Sequence, residues 1–149
     1  MKRIFFIFIL FLFLSLEVAG ADKVSTRRHQ ALAIGQLSLS VRLLNLSLSL
    51  SVSQAASEDS ISSILSNVSE TLKDCKKAVL MSEKQNKIDK KILSCTDTII
   101  SCSEKATSFL SEKSSVKTVK KCASSSVKCV SDLSYVYNDF YETEKTKEN

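Results

Sequence analysis

Five cysteines, one histidine and a few neighbouring carboxylates are the side chains of this 149-residue chain that could do chemistry. The octapeptides CTDTIISC, residues 95–102, and CASSSVKC, residues 122–129, each set two cysteines seven positions apart. Structural zinc sites pair their ligands at roughly two to four residues, so this interval argues against a metal. Nucleophilic catalysis needs a base beside the nucleophile. The single histidine, His29, lies between Arg28 and Gln30 with no nucleophile motif around it, and reads as a solvated surface residue. Glu58 and Asp59 form a carboxylate pair, but acidic residues at a helix start are favoured by the macrodipole and need no catalytic role. Glycine occurs only at Gly20 and Gly35, so no glycine-rich phosphate loop is present. The expectation is a protein that is not an enzyme and uses no cofactor or metal. What the cysteines can still do is crosslink.

Crosslinking depends on compartment. Lys2 and Arg3 precede an apolar run over residues 4–16 broken only by Ser15, and Ala19, Gly20 and Ala21 supply the small residues of a cleavage site. Residues 1–21 therefore read as a secretory signal peptide, with residues 22–149 as a single extracellular domain. The run is shorter than the roughly 20 residues that span a bilayer. Secretion makes disulfides the expected state of cysteine. It also leaves a chain poor in aromatics, with only Phe109 and Phe140 of the seven phenylalanines. The +5 charge of the whole chain becomes about +4 once Lys2, Arg3 and Glu17 leave. No arginine-rich or aromatic-interleaved basic stretch occurs, so nucleic acid is not an expected partner.

The seven-residue interval is two steps of a helical seam, in which apolar positions recur every three or four residues. Ile88, Ile92, Cys95, Ile99, Cys102, Ala106 and Phe109 follow such a walk. So do Val119, Cys122, Ser126, Cys129, Leu133, Val136 and Phe140, and likewise Ile61, Leu65, Val68, Leu72, Cys75 and Val79. All five cysteines stand on seams. The chain has no proline, and the polar stretches SEKQN, residues 82–86, and SEKSS, residues 111–115, interrupt the pattern. Long helices joined by short polar turns follow, and short turns make neighbours antiparallel. The expected fold is an all-α antiparallel bundle with helices near 30–53, 56–81, 87–110 and 116–142, and a polar tail at 143–149.

Antiparallel arms allow a test of level. Residues facing each other across a hairpin have numbers with a constant sum. The pairs Cys95 with Cys129 and Cys102 with Cys122 share one sum, whose half is 112, inside SEKSS. Two rungs would then staple the last two helices. Cys75 and Cys95 centre on residue 85 in the other turn, so a rival connectivity joins Cys75 to Cys95 and Cys102 to Cys122, leaving Cys129. The two-rung hairpin is preferred because it keeps the spare thiol off the stapled pair. Cys75 is then either buried and inert or the link of a disulfide-bonded homodimer.

Residues 37–52, rich in leucine and serine, fit two periods. Leu37, Leu39, Val41 and Leu43 alternate as in a strand, yet the phase flips at Leu44, whereas Ile34, Leu37, Val41, Leu44, Leu48 and Val52 walk as a helix without a break. Helix is the preferred reading. Sequons at Asn45 and Asn67 are candidate glycosylation sites, Asn67 on a solvated face and Asn45 among leucines. Tyr135, Tyr137 and Tyr141 cluster near the end of the last helix as a candidate contact patch.

Three binding functions remain open. The bundle could engage an extracellular protein through its outer surface, carry a small apolar ligand under the leucine-rich segment, or dock on a membrane through that segment. The first is the leading expectation. Insect odorant-binding carriers and saposin-type lipid binders are also small, helical and disulfide-stapled, but both typically carry six cysteines at other spacings, and no function is carried over from them.

Overall fold

A computed structural model describes residues 23–82, 85–111 and 115–147. The signal segment, residues 1–21, and the turn centre Glu112 lie outside the described residues. Four helices follow one another: α1 over Lys23–Val52, α2 over Glu58–Leu80, α3 over Lys87–Leu110 and α4 over Val116–Lys147. Among the described residues there is no strand, so the protein is an all-α bundle and the leucine-serine segment is helical. Two boundaries move relative to the sequence reading. Helix α1 begins seven residues before position 30, and α4 runs through most of the expected polar tail. Both extensions carry the chain past its apolar walk.

Several helix ends have a local cause. Ser57 caps α2, its hydroxyl accepting from the Ser60 amide at 3.3 Å, and Glu58 and Asp59 occupy the first turn as the macrodipole favours. Asn86 caps α3 in a reciprocal box. Its Oδ1 accepts from the Ile88 and Asp89 amides, and Asp89 Oδ2 accepts from the Asn86 amide at 2.9 Å. Ser115 caps α4 by accepting from the Thr118 amide. Helix α1 ends with a six-to-one bond from Ala55 N to Leu50 O and a five-to-two bond from Gln54 N to Ser51 O, the Schellman arrangement. Gln54 takes the left-handed φ of 54° that glycine usually supplies there.

The seams face inward. Ile61, Leu65, Val68, Leu72 and Cys75 on α2, and Ile88, Ile92, Cys95, Ile99, Cys102 and Ala106 on α3, are all buried. On α1 the buried line is Gln30, Ala33, Leu37, Ser40, Val41, Leu44 and Ser47, and on α4 it is Val119, Ala123, Ser126, Val130 and Leu133. Helix α3 packs against both α2 and α4, and α1 packs against all three others, while α2 and α4 do not touch. Serines serve as small core residues. Ser103 donates to Leu65 O on α2 at 2.9 Å, and Ser126 donates back to Cys122 O at 3.0 Å. Ser47 alone among the described residues has a buried side-chain oxygen with no partner.

Candidate functional site

Cysteine chemistry comes first because it organises α3 and α4. Cys95 bonds Cys129 and Cys102 bonds Cys122, with Cα atoms 5.6 and 5.4 Å apart. These separations fall inside the range a disulfide tolerates, and they require the level antiparallel arms that the common sum implies. Closing the 34-residue span of the outer rung removes unfolded-chain entropy equivalent to about 3–4 kcal/mol. Cys75 is a free thiol buried in the α2 seam. Burial pushes its pKa up to about 11, because the low-dielectric interior disfavours the thiolate. The thiol is therefore poorly nucleophilic at neutral pH.

A polar cluster joins three helices at one end of the bundle. Gln30 is 2% exposed. Its amide nitrogen donates to Asp89 Oδ1 at 2.7 Å and to Asn86 Oδ1 at 3.1 Å, and its carbonyl oxygen accepts from Tyr141 Oη at 2.7 Å. Tyr137 Oη donates to the Arg27 carbonyl at 3.1 Å, and the Arg27 guanidinium lies 4.8 Å from the centre of the Tyr141 ring. These contacts tie the first turns of α1 to α4 at Tyr137 and Tyr141. The three tyrosines are divided by this arrangement. Tyr137 and Tyr141, with ring centres 4.9 Å apart, close the bundle, whereas Tyr135 is 74% exposed. His29 is exposed, and no group of three or more potential metal ligands occurs among the described residues.

The opposite end is open and apolar. A groove of about 520 Å³ runs between the last turns of α1 and the first turns of α4, lined chiefly by Leu48, Val52, Phe109, Val116 and Val119, with Asn45 and Lys120 at its polar edge. Beside it, α1 keeps a second apolar line on its outside. Leu32, Leu39 and Leu46 recur every seven residues and are 40%, 37% and 50% exposed. Val52, Val116 and Val127 add exposed apolar surface on the groove side. Helix α1 is long and apolar enough to cross a membrane by length and composition, yet 39% of its most apolar window is buried within the bundle.

Charge is unevenly distributed along the chain. Residues 23–57 contain Lys23, Arg27, Arg28 and Arg42 and no acid, and residues 116–131 contain Lys117, Lys120, Lys121 and Lys128 and no acid. Arg28, Arg42 and the four lysines are all exposed. Among the described residues none of these six has an ion-pair partner; the ion pairs there join Lys76 to Asp97 and Lys77 to Asp74, on α2 and α3. Most of the acids lie on α2, on α3 and on α4 beyond residue 131, with others at Glu17, Asp22, Glu83, Glu112 and Glu148. Periodicity alone gave no sign of this face, because its charges come from two helices distant in sequence. Of the sequons, Asn67 is exposed, while Asn45 is half-buried at the groove and its amide donates to Val41 O at 3.0 Å.

No protein-family model, no curated protein and no solved structure matches this chain.

Proposed function

We propose that the protein is a secreted, non-enzymatic binding protein that works through the cationic and apolar face formed by α1 and the first half of α4. The observation that carries this reading is the line of exposed Leu32, Leu39 and Leu46 with exposed Arg28 and Arg42 on α1, beside a groove edged by Lys120, these three cations having no ion-pair partner among the described residues. Unpaired cations around an apolar centre suit an acidic extracellular partner, since complementary charge raises both encounter rate and selectivity. The two disulfides agree with passage through an oxidising compartment. A homodimer linked through Cys75 would require α2 to turn its buried seam outward.

The groove favours one further reading, a carrier of a small apolar ligand, because its volume suits a single short acyl chain. In that case a fluorescent apolar probe should bind saturably and be displaced by Val116→Glu.

The test of the main reading asks which face meets a partner. A photoreactive benzoylphenylalanine is placed at Leu46, and in a second protein at Lys73, which is exposed on α2. Irradiation in the presence of the expressing tissue or its fluid should give adducts from position 46 and few from position 73. Equal yields from both positions would refute the reading.

A further inference from the structure

We propose that the α1 and α4 face docks on a bilayer surface rich in anionic phospholipid, with α1 lying along the interface rather than crossing it. The proposal rests on the working face assigned above and names what that face meets.

Shape is the first argument. Arg28, Leu32, Gly35, Leu39, Arg42, Leu46 and Ser49 are all exposed and succeed one another in steps of four and three, so they form one line down the outside of α1. At 1.5 Å per residue that line is about 32 Å long. A convex ridge of separated leucines encloses nothing, so it is not built to surround a small ligand. It can lie on a soft, flat apolar boundary.

Charge decides between a membrane and a second copy of the chain. Two such faces brought together would set cations against cations with no carboxylate between them, which is unfavourable in either orientation. An anionic headgroup layer supplies the missing sign to Arg28 and Arg42 along the ridge. The cations also stand where an interfacial helix needs them: Arg28 and Arg42 alternate with the leucines, and Lys120 flanks the groove.

The buried side of α1 decides between lying and crossing. Leu37 and Leu44 are fully buried against the other helices, and Gln30 is fastened to Asp89 and Tyr141. Spanning the bilayer would mean extracting that face and breaking those bonds, whereas docking uses the outer line as it stands.

The experiment uses disulfide-bonded protein collected from the medium of expressing cells and freed of N-linked glycan, which would cover the groove if attached at Asn45. Sedimentation with phosphatidylcholine vesicles, with and without phosphatidylserine, gives the partition coefficient. Phosphatidylserine should raise binding by ~10-fold or more, and added salt should reverse that gain. Arg42→Glu combined with Leu46→Glu should lower binding by ~10-fold or more, while Lys73→Glu combined with Met81→Glu, an equal charge change on α2 and at its C-cap, should alter it less than ~2-fold. Gly35→Leu should raise binding several-fold, by roughly 5-fold, because an added Cβ at this exposed position meets nothing within 4 Å and the new side chain extends the ridge. Circular dichroism verifies that each variant is folded. Binding indifferent to phosphatidylserine, equal losses from both double variants, or no vesicle binding would each overturn the proposal. If vesicles are ignored while position 46 still crosslinks to a protein, the working face stands and the membrane assignment falls. Saturable uptake of monomeric lysophospholipid without vesicle binding would likewise overturn the membrane assignment and favour the carrier.

Discussion

Gln30 on α1 and Asp89 on α3, 59 residues apart in sequence, meet through a 2.7 Å hydrogen bond while both are almost fully buried. The Asp89 carboxylate has a second oxygen on the Asn86 amide, so it is held by two donors. Replacing Gln30 removes one donor and leaves a buried acceptor short of a partner. Gln30→Ala should therefore cost about 2–3 kcal/mol in urea unfolding, and Tyr141→Phe, which removes only the hydroxyl donated to Gln30, about 1 kcal/mol.

The Cys75 thiol offers a readout in pH. Its pKa rises from 9.0 in the unfolded chain to about 11 in the fold. The native state thus retains the proton longer than the unfolded state does. The associated stability is fully present below pH 9, declines as the pH climbs from 9 toward 11, and is exhausted above that. Its ceiling is about 2–3 kcal/mol. Comparing wild type with Cys75→Ala across this window cancels the lysine titrations, and the difference between the two stabilities should shrink as pH rises. Alkylation of Cys75 at pH 7 should be slow until denaturant is added.

Two buried serines should respond in opposite directions. Ser47 carries a hydroxyl with no partner, and Ser47→Ala should leave stability unchanged or raise it by about 1 kcal/mol. Ser103 donates to Leu65 O, and Ser103→Ala should lower stability by about 1 kcal/mol because it removes a buried hydrogen bond between α2 and α3, although Leu65 O keeps its bond within α2. Thermal melts of protein made without glycosylation give both values. The same Ser47→Ala change also destroys the Asn45 sequon, so an extracellularly produced sample would report sugar loss together with stability.

Non-reducing digestion should release Cys95 joined to Cys129 and Cys102 joined to Cys122, with Cys75 alone as a free thiol. Cys95→Ser with Cys129→Ser should lower stability by about 2–4 kcal/mol yet keep the helical spectrum, because the seam residues that align α3 and α4 remain. A peptide joining Cys95 to Cys102 would contradict the level pairing of the two arms.

The hairpin could be read from the sequence because its information is local. Cys95, Cys102, Cys122 and Cys129 lie on strict three-and-four walks around a single polar break, so alignment of the arms reduces to arithmetic. The helical state of residues 37–52 was legible for a similar reason, since the walk through Leu37, Val41 and Leu44 never breaks phase. Gln30 was not. A lone glutamine beside a basic pair resembles solvated surface, and only the return of α4 brings Tyr141 to it. The left-handed turn at Gln54 was hidden too, since its sequence lacks the usual glycine. The proposed binding face escaped because its two basic stretches lie on α1 and α4, far apart in sequence, and look unremarkable singly.

The bundle is fastened unevenly. Gln30, Asp89 and Tyr141 knot one end, two rungs pin the middle of α3 to α4, and the groove at Phe109 and Val116 occupies the end without a knot. Thermal agitation should accordingly part the helix tips there first, as a clothes peg opens at its jaws while the spring holds. The leaf made of α3 and α4 is covalently shut, so any gape must come from the leaf made of α1 and α2. On that expectation the jaw that opens and the leucine ridge belong to the same helix.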